Sequence, residues 1–92
     1  MSINRFPLGQ IVATPGALDA LGTAGNDPLV YIRRHVTGDW GDVEPEDANE
    51  NEYSVGRSLR ILSSYHLNDG TRLWIITEAD RSATTLLLPE EY

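Results

Sequence analysis

Cysteine and lysine are both absent from this chain of 92 residues. Without cysteine there are no disulfides, no thiolate metal ligands and no thiol nucleophiles. Without lysine there is no P-loop cation and no S-x-x-K pair, and GTAGN at 22–26 also lacks the strand–glycine–helix fingerprint of a phosphate loop. All seven basic residues are arginines, a bias that high-GC coding or a salt-adapted host would each produce. No apolar run approaches the roughly 18 residues of a membrane span, and Leu86-Leu87-Leu88 is the size of a strand. The first ten residues, MSINRFPLGQ, carry no basic stretch followed by an apolar one, so no secretory leader is expected. A cytoplasmic protein without membrane contact is the plain expectation.

Catalytic patterns are scarce as well. Ser54, Ser58, Ser63, Ser64 and Ser82 are available, but none sits in a G-x-S-x-G elbow. The two histidines, His35 and His66, fall on different elements with no partner at helical ligand spacing, which gives zinc little support. His35 fits the end of a helix. Asp39 and Asp42, or Glu46 and Glu50, could serve acid–base or metal chemistry only if the fold converged them, and an enzyme or metal site would be built on Asp39, Asp42 and His35. Their spacing does not match an EF-hand loop. The expectation is a non-enzymatic protein with no catalytic residues, no metal and no cofactor.

What the chain does have is acid in one place. The net charge is −7, and residues 39–52 hold seven acids and no base, while the rest holds seven acids against seven arginines. The charge is therefore a patch on an otherwise neutral chain. Such a patch repels phosphates and attracts basic partners, with a reach of about 10 Å in ordinary salt.

The stretch Leu59–Glu78, LRILSSYHLNDGTRLWIITE, organises the fold. Two runs rich in β-branched and aromatic residues flank Asn68-Asp69-Gly70, a three-residue hairpin loop whose glycine takes the left-handed conformation. That loop sets Leu67 against Thr71, Tyr65 against Leu73, Ser63 against Ile75 and Ile61 against Thr77. Leu59, Ile61, Tyr65, Leu67, Leu73 and Ile75 then form the core face. His66 against Arg72, Ser64 against Trp74, Leu62 against Ile76 and Arg60 against Glu78 form the other. A two-residue loop would put Arg72 and Glu78 on the apolar face.

Around the hairpin, residues 1–8 read as a loosely tied terminus with Phe6 and Leu8 available for packing, and Gly9–Ala13 as a short strand. Thr14-Pro15 and Asp27-Pro28 each read as an N-cap followed by proline, opening helices that end near Gly22 or Gly25 and at Gly38. Pro45-Glu46-Asp47 opens a third, acid-led helix with few apolar residues, expected on the surface and prone to fraying. Ala83–Leu88 is a further strand. Ninety-two residues suffice for one domain burying roughly 60–65 % of its unfolded surface. The expected fold is α+β, a single domain over 1–92: two or three N-terminal helices on a three- to four-stranded antiparallel sheet built around the 59–78 hairpin. Whether Gln10–Ala13 joins that sheet stays open, and an uncovered ATTLLL edge would invite a second copy.

The candidate partner-binding residues are Asp39, Trp40, Asp42, Glu44, Glu46, Asp47, Glu50 and Glu52. Trp40 is either a core plug or an exposed anchor, and interface energy concentrates on such anchors. The partner implied is a basic protein, with mimicry of DNA by surface carboxylates as the sharpest form. The alternative is a single-stranded nucleic-acid surface made of Arg60, His66, Arg72 and Trp74 on the outer hairpin face. The overall charge opposes it. In the competing packing, Trp74, Leu62 and Ile76 lie under the acidic helix as a second small core.

Taken together, FPLGQIVATPGAL (6–18), RHVTGDWGD (34–42), RILSSYHL (60–67) and LWIITEADRSATTLLLPEEY (73–92) resemble a family of small uncharacterised bacterial proteins. Some of its members are labelled plasmid-related proteins, and they occur on plasmids and integrated mobile elements. The resemblance implies a small cytoplasmic domain in a mobile-element setting, and it brings no activity, cofactor or catalytic residue.

Overall fold

Proline is tolerated at the first position of a helix, where its missing N–H would have no partner anyway, and all three helices here begin on one. In the computed structural model, which describes residues 3–92, α1 spans Pro15–Ala24, α2 Pro28–Val36 and α3 Pro45–Val55. The Thr14 hydroxyl caps α1 by accepting from the Ala17 N–H, and the Asp27 carboxylate caps α2 by accepting from the Leu29 N–H. The four strands are β1 (Gln10–Ala13), β2 (Ile61–His66), β3 (Arg72–Thr77) and β4 (Ala83–Leu87), and a 3₁₀ turn at Pro89–Glu91 closes the chain.

The hairpin adopts the register that alternation requires, with Ile61 opposite Thr77, Ser63 opposite Ile75, Tyr65 opposite Leu73 and His66 opposite Arg72. Its loop is the three-residue form. Leu67 N–H donates to Thr71 O at 2.8 Å, and Gly70 sits at φ +87°, where a side chain would be strained.

The sheet order is β1-β4-β3-β2. It is mixed rather than antiparallel throughout, because β1 pairs parallel with β4, and β1 precedes the helices rather than following them. The physical reason lies in β4. Its buried main chain needs partners on both sides, and β3 supplies only one. On the other side Gln10 N–H donates to Ser82 O and Thr14 N–H to Leu86 O, both at 3.0 Å. So β4 is interior and does not offer the edge expected of ATTLLL. The free edge on that side belongs to β1.

One core lies between the sheet and α1/α2, formed by Ala17, Leu21, Tyr31 and Ile32 against Tyr65, Leu67, Leu73, Ile75 and Leu86. A second lies at the β2 end, where Phe6, Val36, Trp40 and Ile61 meet Val43, Ala48 and Val55. Leu59 does not join the core face; it is 43 % exposed, one residue past Ser58 at a positive φ of 53°. The terminus is better tied than composition suggests. Arg5 N–H bonds Val36 O at 2.8 Å and Phe6 is buried, while Met1 and Ser2 lie outside the described residues.

Candidate functional site

Helix α3 has too few apolar residues to be held by burial alone, and polar bonds fix it instead. Asn51, itself buried, donates from Nδ2 to Leu62 O at 2.6 Å and accepts from Leu62 N–H at 3.2 Å, standing in for a strand residue at the β2 edge. The preceding loop continues the same edge. Ser64 N–H donates to Trp40 O at 3.1 Å, and Asp42 N–H donates to Ser64 O at 2.6 Å. Gly41 makes this approach possible at φ +76°, since a β-carbon there would run into Ser64 O and the Tyr65 ring. The far end is clamped by Arg81, whose guanidinium donates to Ser54 O at 2.8 Å and Leu59 O at 2.7 Å. This clamp was invisible in a stretch that reads only as a turn.

With that orientation fixed, the acids sort into two groups. Glu52 accepts two hydrogen bonds from Arg5, at 2.7 and 2.8 Å, and one from Trp40 Nε1–H at 3.0 Å. The Arg5 bonds hold its carboxyl below the usual carboxylate range. Asp39 pairs with Arg34 Nε at 2.7 Å, which lowers its pKa in the same way. Asp42 lies 2.6 Å from His66 Nδ1. These three serve the fold's own contacts. Glu44, Glu46, Asp47 and Glu50 are exposed and make no side-chain bond to a basic group among the described residues. Glu46, Asn49, Glu50 and Tyr53 line one shallow depression on the outward side of α3. Their i, i+3, i+4, i+7 spacing puts them on one helix face. Tyr53 is 54 % exposed, with the Arg57 guanidinium 4.0 Å from its ring centre.

Trp40 drops out of the binding set. It is 6 % exposed, its ring stacked on Phe6 at 6.2 Å and edge-on to His35 at 6.0 Å. It is the core plug of its two readings, because the only polar atom of the indole finds Glu52.

On the outer hairpin face Ser64 and Ile76 are buried and Leu62 and Trp74 half-buried, while the apolar residues of α3, Ala48 and Val55, pack on the Trp40 cluster. Trp74 instead meets Tyr92 edge-on at 5.8 Å, with the Arg60 guanidinium 5.3 Å from the Tyr92 ring. His66 and Arg72 are exposed on the same face. A groove of about 130 Å³ runs between this face and the loop, lined by Leu62, Ser64, Arg72 and Trp74 on one side and Asp42, Val43, Glu44 and Asp47 on the other. Three carboxylates thus face the one arginine of the groove.

Sequence reasoning missed a buried polar chain. Thr84 Oγ1–H donates to Leu8 O at 2.8 Å, so Thr84 must accept from Thr77, 2.7 Å away. Thr77, its proton used, accepts from His35 Nε2–H at 2.8 Å. His35 Nδ1 is then an acceptor for Ser63 Oγ–H at 2.5 Å. Every donor is used once, and the imidazole is held neutral. Burial, with the Arg81 charge adding, pushes its pKa down to about 3. Ser63 and His35 are both fully buried, so the pair has no access to a substrate and acts as a structural strut. Alternation of Ser63, Thr77 and Thr84 on the inner face was the available signal. Asp39 and Asp42 are bonded to Arg34 and His66 and do not converge with His35 on a cation site, and no group of three metal-ligating side chains occurs among the described residues.

No protein-family model, no curated protein and no solved structure matches this chain.

Proposed function

We propose that this protein works by binding a basic protein through the outward face of α3. The observation that carries the reading is the exposed Tyr53 flanked by Glu46 and Glu50, with Glu44 and Asp47 adjoining, on a helix whose opposite side is immobilised. An aromatic anchor inside a charged rim is the arrangement that concentrates binding energy while the rim speeds encounter. Asn51 and Arg81 hold that face rigid, so little ordering cost falls on association. The resemblance to plasmid-borne proteins suggests an accessory factor of a mobile element. Its partner would be a nucleic-acid-binding or defence protein whose phosphate groove accepts these carboxylates as a DNA mimic. The groove acids Asp42, Glu44 and Asp47 oppose the single-strand alternative, since phosphate contacts dominate such affinity.

The test is affinity recovery of partners from the native host, comparing wild type with Glu46→Gln/Asp47→Gln/Glu50→Gln and with the matching charge reversal. Recovery should fall by about tenfold or more on reversal and should weaken as salt rises. Tyr53→Ala should reduce it separately. Unchanged recovery with the reversed helix, at an unchanged melting temperature, refutes the proposal.

A further inference from the structure

The outermost strand, β1, is open. In a parallel pair alternate residues bond the neighbouring strand, and here Gln10 donates to Ser82, just before β4, and Thr14 to Leu86 within it. The N–H and C=O groups of Ile11 and Ala13 therefore point away from the sheet. Among the described residues nothing accepts from or donates to them. Ile11 is 47 % exposed and Val12 40 %, on opposite faces of the strand. The strand is short, at four residues, but no charge, proline or bulge interrupts Gln10–Ala13. The other edge of the same sheet is closed by Asn51 and the 40–42 loop.

From these observations we propose that the β1 edge is a homodimer interface, with two copies joining antiparallel about a two-fold axis at Val12 into one eight-stranded sheet. The main-chain groups dictate the register. Ile11 and Ala13 must be the hydrogen-bonded positions, so Ile11 exchanges bonds with Ala13 of the partner subunit, giving four in all. Val12 faces its own copy in the non-bonded pair, where side chains stand closest. Such self-complementarity is what a two-fold interface requires. Charge favours a second copy as well. Each chain carries −7, yet Phe6–Leu18 itself contains no charged residue, and the Glu91 carboxylate that lies against its end is engaged by the Thr14 hydroxyl and the Leu88 N–H, so like molecules meet along a strand with no charge of its own.

The absence of cysteine makes the test clean. In a Val12→Cys variant of the full chain, two thiols give up two protons and two electrons to added diamide only where the copies bring them together. Val12→Cys should cross-link to a covalent dimer, and Ile11→Cys, out of register with itself, should cross-link much less. Sedimentation should show a concentration-dependent dimer that tightens with salt, opposite to partner binding through α3. Val12→Lys should weaken it by about tenfold or more without unfolding the chain. Equal cross-linking at both positions, a dimer that survives Val12→Lys, or a monomer at every concentration would each overturn the proposal. A monomer would leave the edge to a strand from another protein.

Discussion

The two edges of the sheet are built on opposite plans. At β2, the main-chain groups of Leu62 and Ser64 are fully used by Asn51, Trp40 and Asp42, and a helix lies beyond them. At β1, the corresponding groups of Ile11 and Ala13 face outward with apolar side chains beside them. One edge has been converted into interior, and the conversion is what positions α3 and its acids. An edge closed from within the chain presents side chains to a partner, whereas an open edge presents backbone.

The largest way to break this contrast is at Gly41. Gly41→Val adds branched bulk against Ser64 O at a positive φ, and should cost about 3 kcal/mol or more. Chemical denaturation should show it as a fall in midpoint. Asn51→Leu keeps the volume but orphans both Leu62 groups, an expected loss of about 2 kcal/mol. Amide exchange at Leu62 should speed up in that variant while exchange in β4 changes less.

Acid probes the same closed side through His35, which joins β2 to β3. The folded chain holds the imidazole neutral with a pKa near 3, against an ordinary value of 6.5. Its contribution is complete above pH 6.5 and is lost as pH falls toward 3, because the unfolded chain takes up a proton that the folded one refuses. The slope should approach 1.4 kcal/mol per pH unit, at most about that, within this window. His35→Gln should be less stable at neutral pH and should flatten the slope, as read from melts across pH. The smallest effect belongs to the open edge. Ile11→Lys should change monomer stability by less than about 0.5 kcal/mol, measured at a concentration low enough to exclude association. A large effect there would mean that the edge is already covered.

Much of this fold is written locally. Asn68-Asp69-Gly70 and a period of two are enough to fix every pair from Ile61–Thr77 to His66–Arg72, because a slip by one residue would turn Arg72 inward. Thr14-Pro15, Asp27-Pro28 and Pro45 mark the helix starts for the same kind of short-range reason. The parallel seat of β1 was not legible, since its partner lies at the other end of the chain and four residues carry no sign of direction. Nor was the sorting of the acids. Arg5 reaching Glu52, Arg34 reaching Asp39 and His66 reaching Asp42 separate structural carboxylates from the exposed four, and the first and last of these pairs depend on contacts between distant elements. The aromatic most exposed on α3 is Tyr53, whereas the eye-catching Trp40 is interior.

The sequence by itself determined which segments become helices and strands, the hairpin register and the confinement of excess acid to 39–52. Steric limits on proline and glycine and the pleat of a strand act within a few residues, so composition and spacing suffice for them. Tertiary structure alone decided which edge of the sheet stays open, which acids remain free and that His35 is a buried strut. Those outcomes follow from satisfying nearly all buried donors and acceptors at once, with the Ser64 hydroxyl the exception among the described side chains, and many of the groups that satisfy them come from distant parts of the chain.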